Sequence, residues 1–285
     1  MSEIDIDHLR SWIGRTQEKS DTITPRLVES FNAIFNASSG LVPGDPAPLG
    51  IHWCLAPDIA PMNELGPDGH PARGGFLPPV LLPRRMWAGG QIDFSGDFHV
   101  GDRVTRRSRI DDVTEKTGRS GALVFVTVQH DYLTPRGVVL SERQDIVYRS
   151  QETKPITRPD GETQDRSTAE STVADHSMNI DASPTLLFRY SALTFNGHRI
   201  HYDLRYATEV EHYSGLVFHG PLQATYLMRL AAETSTEPLR TFNYRSVAPL
   251  IAGGTVFIHA SRNPDGVGLW VADGNHDITM KATAD

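Results

Sequence analysis

The sequence predicts an α+β chain in which a helix followed by antiparallel strands occurs twice. Three observations carry this. A helix-periodic apolar stripe leads into strands rich in Val, Thr and aromatic residues in the first half, and the same order returns in the second. Between them, residues 150–184 are polar and poor in aromatics. Such a segment buries too little apolar surface to offset its ordering entropy, so it reads as a linker. The expected division is residues 1–149, linker 150–184 and residues 185–285.

The elements follow in order. In Glu3–Ile13, Ile6, Leu9 and Ile13 stand at helical spacing. Thr24-Pro25 is an N-cap followed by Pro at the first helical position. Leu27, Val28, Phe31, Ile34 and Phe35 then share one helix face, and Ser38-Ser39-Gly40 ends it. A Pro/Gly-rich stretch reaches Pro83, with a short strand expected at Ile51–Leu55. From Gln91 the pattern is β, with strands at Phe98–Ile110, Ala122–Tyr132 and Gly137–Arg149. In the second half Gly220-Pro221 opens a helix with Leu222, Tyr226, Leu227, Leu230 and Ala231 on one face. Strands follow at Arg240–Val247, Thr255–Arg262, Gly268–Asp273 and Asp277–Thr283. This repetition is an internal duplication of architecture.

Composition narrows the function. The 285 residues are 39% hydrophobic and 22% charged, with a net charge of −8, which suits a packed core. No basic run points to nucleic acid or an anionic membrane, and no apolar stretch is long enough to span a bilayer. The acidic N-terminus lacks the apolar core of a secretory signal. Cys54 is the one cysteine, which excludes an intrachain disulfide and Cys-rich zinc sites, and a reducing, cytoplasmic setting fits. On a strand Cys54 would share a face with His52, but a small buried core residue is the expected role.

Chemistry-bearing side chains concentrate in residues 188–223. Asn196, His198, His201, Asp203 and His219 all precede the helix opened by Gly220-Pro221. Proton-transfer groups near a helix N-terminus suit a reaction that builds negative charge on an oxygen. His198-x-x-His201-x-Asp203 also offers ligand-type side chains, with His212 and His219 nearby. Its spacing matches no standard helical zinc motif, so no metal is expected.

These stretches resemble the MaoC-like hydratase and dehydratase family, whose motif has a Ser/Thr-Gly-Asp-x-Asn-Pro-x-His core. The matching residues are Leu193-Thr194-Phe195-Asn196-Gly197-His198-Arg199-Ile200-His201. The family's His falls on His201, its Asp on Asn196 and its Asn on His198. The second motif matches Val217-Phe218-His219-Gly220-Pro221-Leu222, and Phe242–Pro249 also fits. Pro83–Gly90 and Glu142–Tyr148 extend the likeness through the first half, and it is closest to the branch of mesaconyl-C4-CoA hydratase, itaconyl-CoA hydratase and mitochondrial type 2 hydroxyacyl-thioester dehydratases.

The resemblance implies a double hotdog: two sheets, each wrapped around a helix, with the hydratase motif in the second half and a non-catalytic first half shaping the acyl pocket. It implies reversible hydration of a short dicarboxylic enoyl-CoA, such as mesaconyl-C4-CoA or itaconyl-CoA, to a product such as citramalyl-CoA. The alternatives are dehydration of 3-hydroxyacyl thioesters in fatty-acid metabolism, a hotdog thioesterase and a non-catalytic acyl-CoA binder. No cofactor is expected, since CoA arrives with the substrate, and a homodimer or larger homo-oligomer is expected.

Hydration of an enoyl thioester requires a base to activate water, a proton donor to C2 and hydrogen-bond donors for the enolate oxygen. His201 is the expected base. Asn196 would orient water or the thioester oxygen, but it cannot exchange a net proton as Asp does. His201 would then serve both steps in a syn addition, or His198 or Asp203 would help. Backbone N–H groups near Gly220 would hold the oxyanion, supplied by Gly220 or Leu222 because Pro221 has none. Arg84, Arg85, Arg199 and Arg245 are the candidates for substrate anions. A free acyl carboxylate favours bidentate pairing with Arg84 or Arg85.

Overall fold

The computed structural model describes residues 4–118, 121–150, 174–264 and 266–285. Its strands are β1 (Thr16–Thr22), β2 (Arg84–Phe94), β3 (Arg103–Gly118), β4 (Gly121–Thr134), β5 (Gly137–Arg149), β6 (His176–Asp181), β7 (Thr241–Ser246), β8 (Thr255–Asn263), β9 (Gly266–Ala272) and β10 (Ile278–Ala284). Its α-helices are α1 (Ile6–Arg10), α2 (Pro25–Ile34), α3 (Pro184–Thr194) and α4 (Gly220–Thr234).

All ten strands form one antiparallel sheet in the order β1-β3-β4-β5-β2-β7-β10-β9-β8-β6. The two halves of that order repeat strand for strand, β1-β3-β4-β5-β2 against β6-β8-β9-β10-β7, so the duplication expected from the sequence is present. Its alignment differs from the expected one. By topology α2, which follows β1, matches α3, which follows β6. Each has a Ser or Thr cap and Pro at its start. Helix α4 packs on β7, β8, β9 and β10, and α2 packs on α3. Among the described residues, only the second half holds a helix of the α4 kind.

Several expected boundaries move for physical reasons. The first helix is confined to Ile6–Arg10: Leu9 is buried, whereas Ile13 is exposed. Strand β1 has no apolar residue to give a period-two signal, and it pairs along the sheet edge with β3. Strand β2 begins at Arg84, not Gln91. Gly89 and Gly90 let β2 pass closely between its neighbours: a Cβ at Gly89 would lie 2.7 Å from the Tyr244 carbonyl oxygen.

The expected strand at Ile51–Leu55 is a 3₁₀ turn, Ile51–Cys54, entered from Gly50 in the left-handed region at φ 88°. His52 and Cys54 therefore do not share a strand face, though Cys54 is buried as expected. The linker expected over residues 150–184 is shorter than that: β6 and the start of α3 lie inside its C-terminal part, while residues 151–173 lie outside the described residues.

The main core joins both halves. Val28 and Phe31 of α2, Leu187 of α3, Leu222, Leu227 and Met228 of α4, Ile92 of β2 and Phe242 of β7 are all fully buried in it. Each such aliphatic or aromatic side chain contributes roughly 1.5–3 kcal/mol by leaving water. This shared core fixes the first half against the start of α4.

Candidate active site

The motif residues sit on a 3₁₀ turn, Arg199–His201, that follows α3. Helix α3 ends because Phe195 takes a left-handed conformation at φ 53°. The Asn196 Oδ1 then accepts the His198 backbone N–H at 3.0 Å, closing a side-chain turn. The Asn196 Nδ2 stays available as a donor.

His201 is buried, and its Nδ1 lies 2.7 Å from the Val217 carbonyl oxygen. A carbonyl only accepts, so Nδ1 carries the proton and the lone pair resides on Nε2. The His201 ring stacks on that of His219 with centroids 3.6 Å apart. His219 is the N-cap of α4, so the imidazole stands at the mouth of that helix. His219 is itself held by Ser191 of α3 through Nε2 at 2.8 Å. At the start of α4, the amides of Gly220 and Leu222 have no partner within the helix, and the helix dipole favours negative charge there.

Burial, reinforced by neighbouring His198, lowers the His201 pKa from 6.5 to about 3. The ring is therefore neutral, with its Nε2 lone pair free of a proton, across the neutral range. Burial likewise lowers His52 and His130 to about 3. For these three groups the unfolded chain binds a proton near pH 6.5 and the folded chain does not. Their contribution to stability is complete above about pH 6.5 and is lost as pH falls toward 3, at up to about 1.4 kcal/mol per pH unit for each group. Urea midpoints measured from pH 7.5 to 4 should fall steadily below pH 6.5. A midpoint constant down to pH 5 would contradict this picture.

His198 is tied elsewhere. Its Nε2 lies 3.2 Å from Glu211, and its ring lies 4.3 Å from that of His70. His70 in turn bonds Asp68 through Nδ1 at 3.0 Å. Ligand-type atoms of Asp68, His70 and His198 lie within 4.8 Å of one another, a grouping distinct from the spacing read in the sequence. Asp203 accepts from Arg199 at 2.7 Å and caps the following turn through the Tyr206 N–H. Arg199 also donates to the Pro67 carbonyl.

The 66–70 loop of the first half thus lies directly on the motif. A Cβ at Gly69 would collide with the Gly197 carbonyl. This loop offered the sequence only turn signals, so Asp68 and His70 escaped notice, as did Glu211.

The remaining candidates separate. Leu222 is fully buried in the core, so only its backbone is placed for the site. Arg245 is exposed on the opposite sheet face from buried Tyr244, where it lines a cleft of about 430 Å³ with Lys116 and Arg143. Arg84 is buried, 3.7 Å from Glu211 and over the Tyr213 ring. Arg85 alternates away from it and shares a face with Trp87, and the Trp87 ring lies against Gly220. Thus His201, Gly220 and Trp87 converge, with Asn196 at the motif turn, while Arg85 lies beside Tyr148 and His70 and Arg245 stands on the opposite sheet face.

Paired five-strand repeats with a buried His at the mouth of one central helix define a double hotdog protein. Solved structures share this fold. One described as a MaoC-like dehydratase superposes with a TM-score of 0.70 at 14% identity, covering 96% of this chain and 98% of that one. A Mycobacterium tuberculosis protein described as having a double hotdog fold superposes with a TM-score of 0.55 at 13% identity, covering 95% of each. The model of the family described as hydroxyacyl-thioester dehydratase type 2 matches residues 50–252. The mesaconyl-C(4)-CoA hydratase of Chloroflexus aurantiacus is 38% identical over 279 residues, 96% of each chain. The chain belongs to the hydroxyacyl-thioester dehydratase type 2 family, a family of hydratases and dehydratases.

Proposed function

We propose that the protein adds water reversibly to a short dicarboxylic enoyl-CoA, mesaconyl-C4-CoA or itaconyl-CoA, giving a hydroxylated product such as citramalyl-CoA. The observation that carries this is the His201 tautomer. With Nδ1–H donated to Val217, Nε2 is a fixed lone pair at the mouth of α4. The 38% identity to a mesaconyl-C(4)-CoA hydratase supports the substrate class.

In this reading Nε2 takes a proton from water as its oxygen bonds to C3. The electron pair of the C2–C3 double bond shifts toward the thioester, and the Gly220 and Leu222 amides hold the enolate oxygen. The imidazolium then returns its proton to C2. One imidazole performs both transfers, which removes the need for an acid at position 196; the Asn196 amide orients water or the thioester. The reverse sequence dehydrates a 3-hydroxyacyl thioester, the reaction named in the family description. The proposal includes no resident metal or cofactor, a cytoplasmic setting and a homo-oligomeric assembly.

The test is a panel of enoyl-CoAs read by mass spectrometry for gain of one water, repeated after chelation. Gain of water with the thioester intact supports the reading. Thiol release would instead identify a thioesterase, and binding without turnover a non-catalytic acyl-CoA protein. Chelation is expected to leave turnover unchanged.

Arg85, on the Trp87 face, is the proposed partner of the free acyl carboxylate. Loss of a charge-assisted hydrogen bond costs about 1.5–3 kcal/mol. Arg85→Ala should therefore lower kcat/KM for mesaconyl-C4-CoA by about 10- to 100-fold and leave crotonyl-CoA, which lacks the carboxylate, nearly unaffected. Equal losses on both substrates would exclude this role.

A further inference from the structure

We propose that Trp87 sets the length of acyl chain accepted beside the Gly220 amide, and that Glu142 is the positioning residue that holds the Trp87 ring in place. The inference rests on the hydratase reading of the same site.

The Trp87 ring occupies the space that a side chain at position 220 would fill. An ideal Cβ there would lie 2.7 Å from Cε3 and 3.3 Å from Cζ3 of the indole. A register shift in β2 between Trp87 and Gly89 aims the ring at the helix. Ser246 secures the bulge by donating its hydroxyl to the Trp87 carbonyl at 3.1 Å. An acyl chain whose carbonyl oxygen rests on the Gly220 amide therefore runs beside a flat indole fixed at both backbone and ring.

The ring is braced from both halves of the molecule. Tyr244 of β7 stacks on it with centroids 4.3 Å apart and planes 19° apart, and Trp53 meets it edge-on at 5.7 Å. The Trp53 indole N–H and the Tyr244 hydroxyl both donate to one oxygen of Glu142, at 2.9 and 3.0 Å. Glu142 has no solvent exposure. Among the described residues its second oxygen has no hydrogen-bond partner, and it lies 3.8 Å from the Nε2 of His52, which likewise has none among them.

Neutral donors from Trp53, Tyr244 and Gln144 and a neutral imidazole suit a protonated carboxyl beside His52, burial outweighing the charge of Arg106. Burial pushes the Glu142 pKa upward and that of His52 downward, consistent with this arrangement. A protonated acid at this position is one that glutamine can replace. The amide oxygen would accept from Trp53 and Tyr244, and the amide N–H would face His52.

The experiment compares kcat/KM for crotonyl-CoA and octenoyl-CoA in the full chain. Wild type should favour crotonyl-CoA. Trp87→Leu should shift the ratio toward octenoyl-CoA by about 10-fold or more, the scale on which a pocket discriminates added methylenes. Glu142→Leu should shift it in the same direction, and Glu142→Gln should keep the wild-type ratio. Trp87→Phe, which retains an aromatic ring against Tyr244, gives a smaller shift of the same sign if Trp87→Leu does not fold. A common loss on both substrates in the Trp87 variants, or a shift in Glu142→Gln equal to that in Glu142→Leu, would overturn the inference. A wild-type protein that adds water to neither of these thioesters nor to mesaconyl-C4-CoA would overturn the hydratase reading instead.

Discussion

Replacing His201 with Ala is expected to lower kcat by roughly 10²- to 10⁴-fold, the range of a positioned general base. In the proposed mechanism this imidazole handles both protons, so the upper part of that range is the natural expectation. Binding should survive, because the α4 amides remain. The expected signature is a collapse of kcat with a nearly constant KM for the preferred enoyl-CoA. The pH profile adds a second check. Because burial holds the His201 pKa at about 3, the wild-type kcat/KM should show no acidic limb from this group near pH 6.5. An Ala variant with wild-type kcat would remove His201 from the mechanism.

Gly220→Ala should cost about 10²-fold or more in kcat/KM, comparable to removal of an oxyanion donor, although helix propensity alone favours Ala. Ala is the better helix former by about 1 kcal/mol, and Gly220 has no left-handed backbone to protect. The loss comes from the added methyl, which would stand 2.7 Å from the Trp87 ring. The ring is stacked on Tyr244 and cannot retreat freely, so the helix start and its amides must move. A second substitution, Trp87→Leu, opens that space and should recover part of the lost activity. Unchanged turnover in Gly220→Ala, or no recovery in the double variant, would show that the helix start is not the oxyanion site.

Much of this arrangement was legible in the chain. The Thr24-Pro25 and Gly220-Pro221 starts marked α2 and α4 because capping and Pro preferences act locally. Strand β4 was legible because its residues alternate and include a run of Val and Thr, and β5 because Val and aromatic residues follow a Gly turn. The motif from Leu193 to His201 carried the chemistry in its residue types. By contrast, β1 and β6 are short polar edge strands whose pairing partners, β3 and β8, decide them. Helix α3 went unread because only its first residue falls in the expected linker and the rest runs directly into the motif segment.

The brace around Trp87 could not be read in advance, since Trp53, Trp87, Glu142 and Tyr244 come from four separate elements. The same holds for His70 on His198. The choice between Arg84 and Arg85 was also undecided. Both are basic neighbours in sequence, and only the strand's alternation turns one toward Glu211 and the other toward the Trp87 face.

By itself the sequence determined the reaction class, the duplicated α+β architecture and the imidazole proposed as base. Each of these depends on residue identity and short-range spacing. Tertiary structure alone decided the His201 tautomer, through a carbonyl sixteen residues away, and the aromatic wall that faces α4. Both depend on which distant groups share a buried space, and burial is a property of the packed chain.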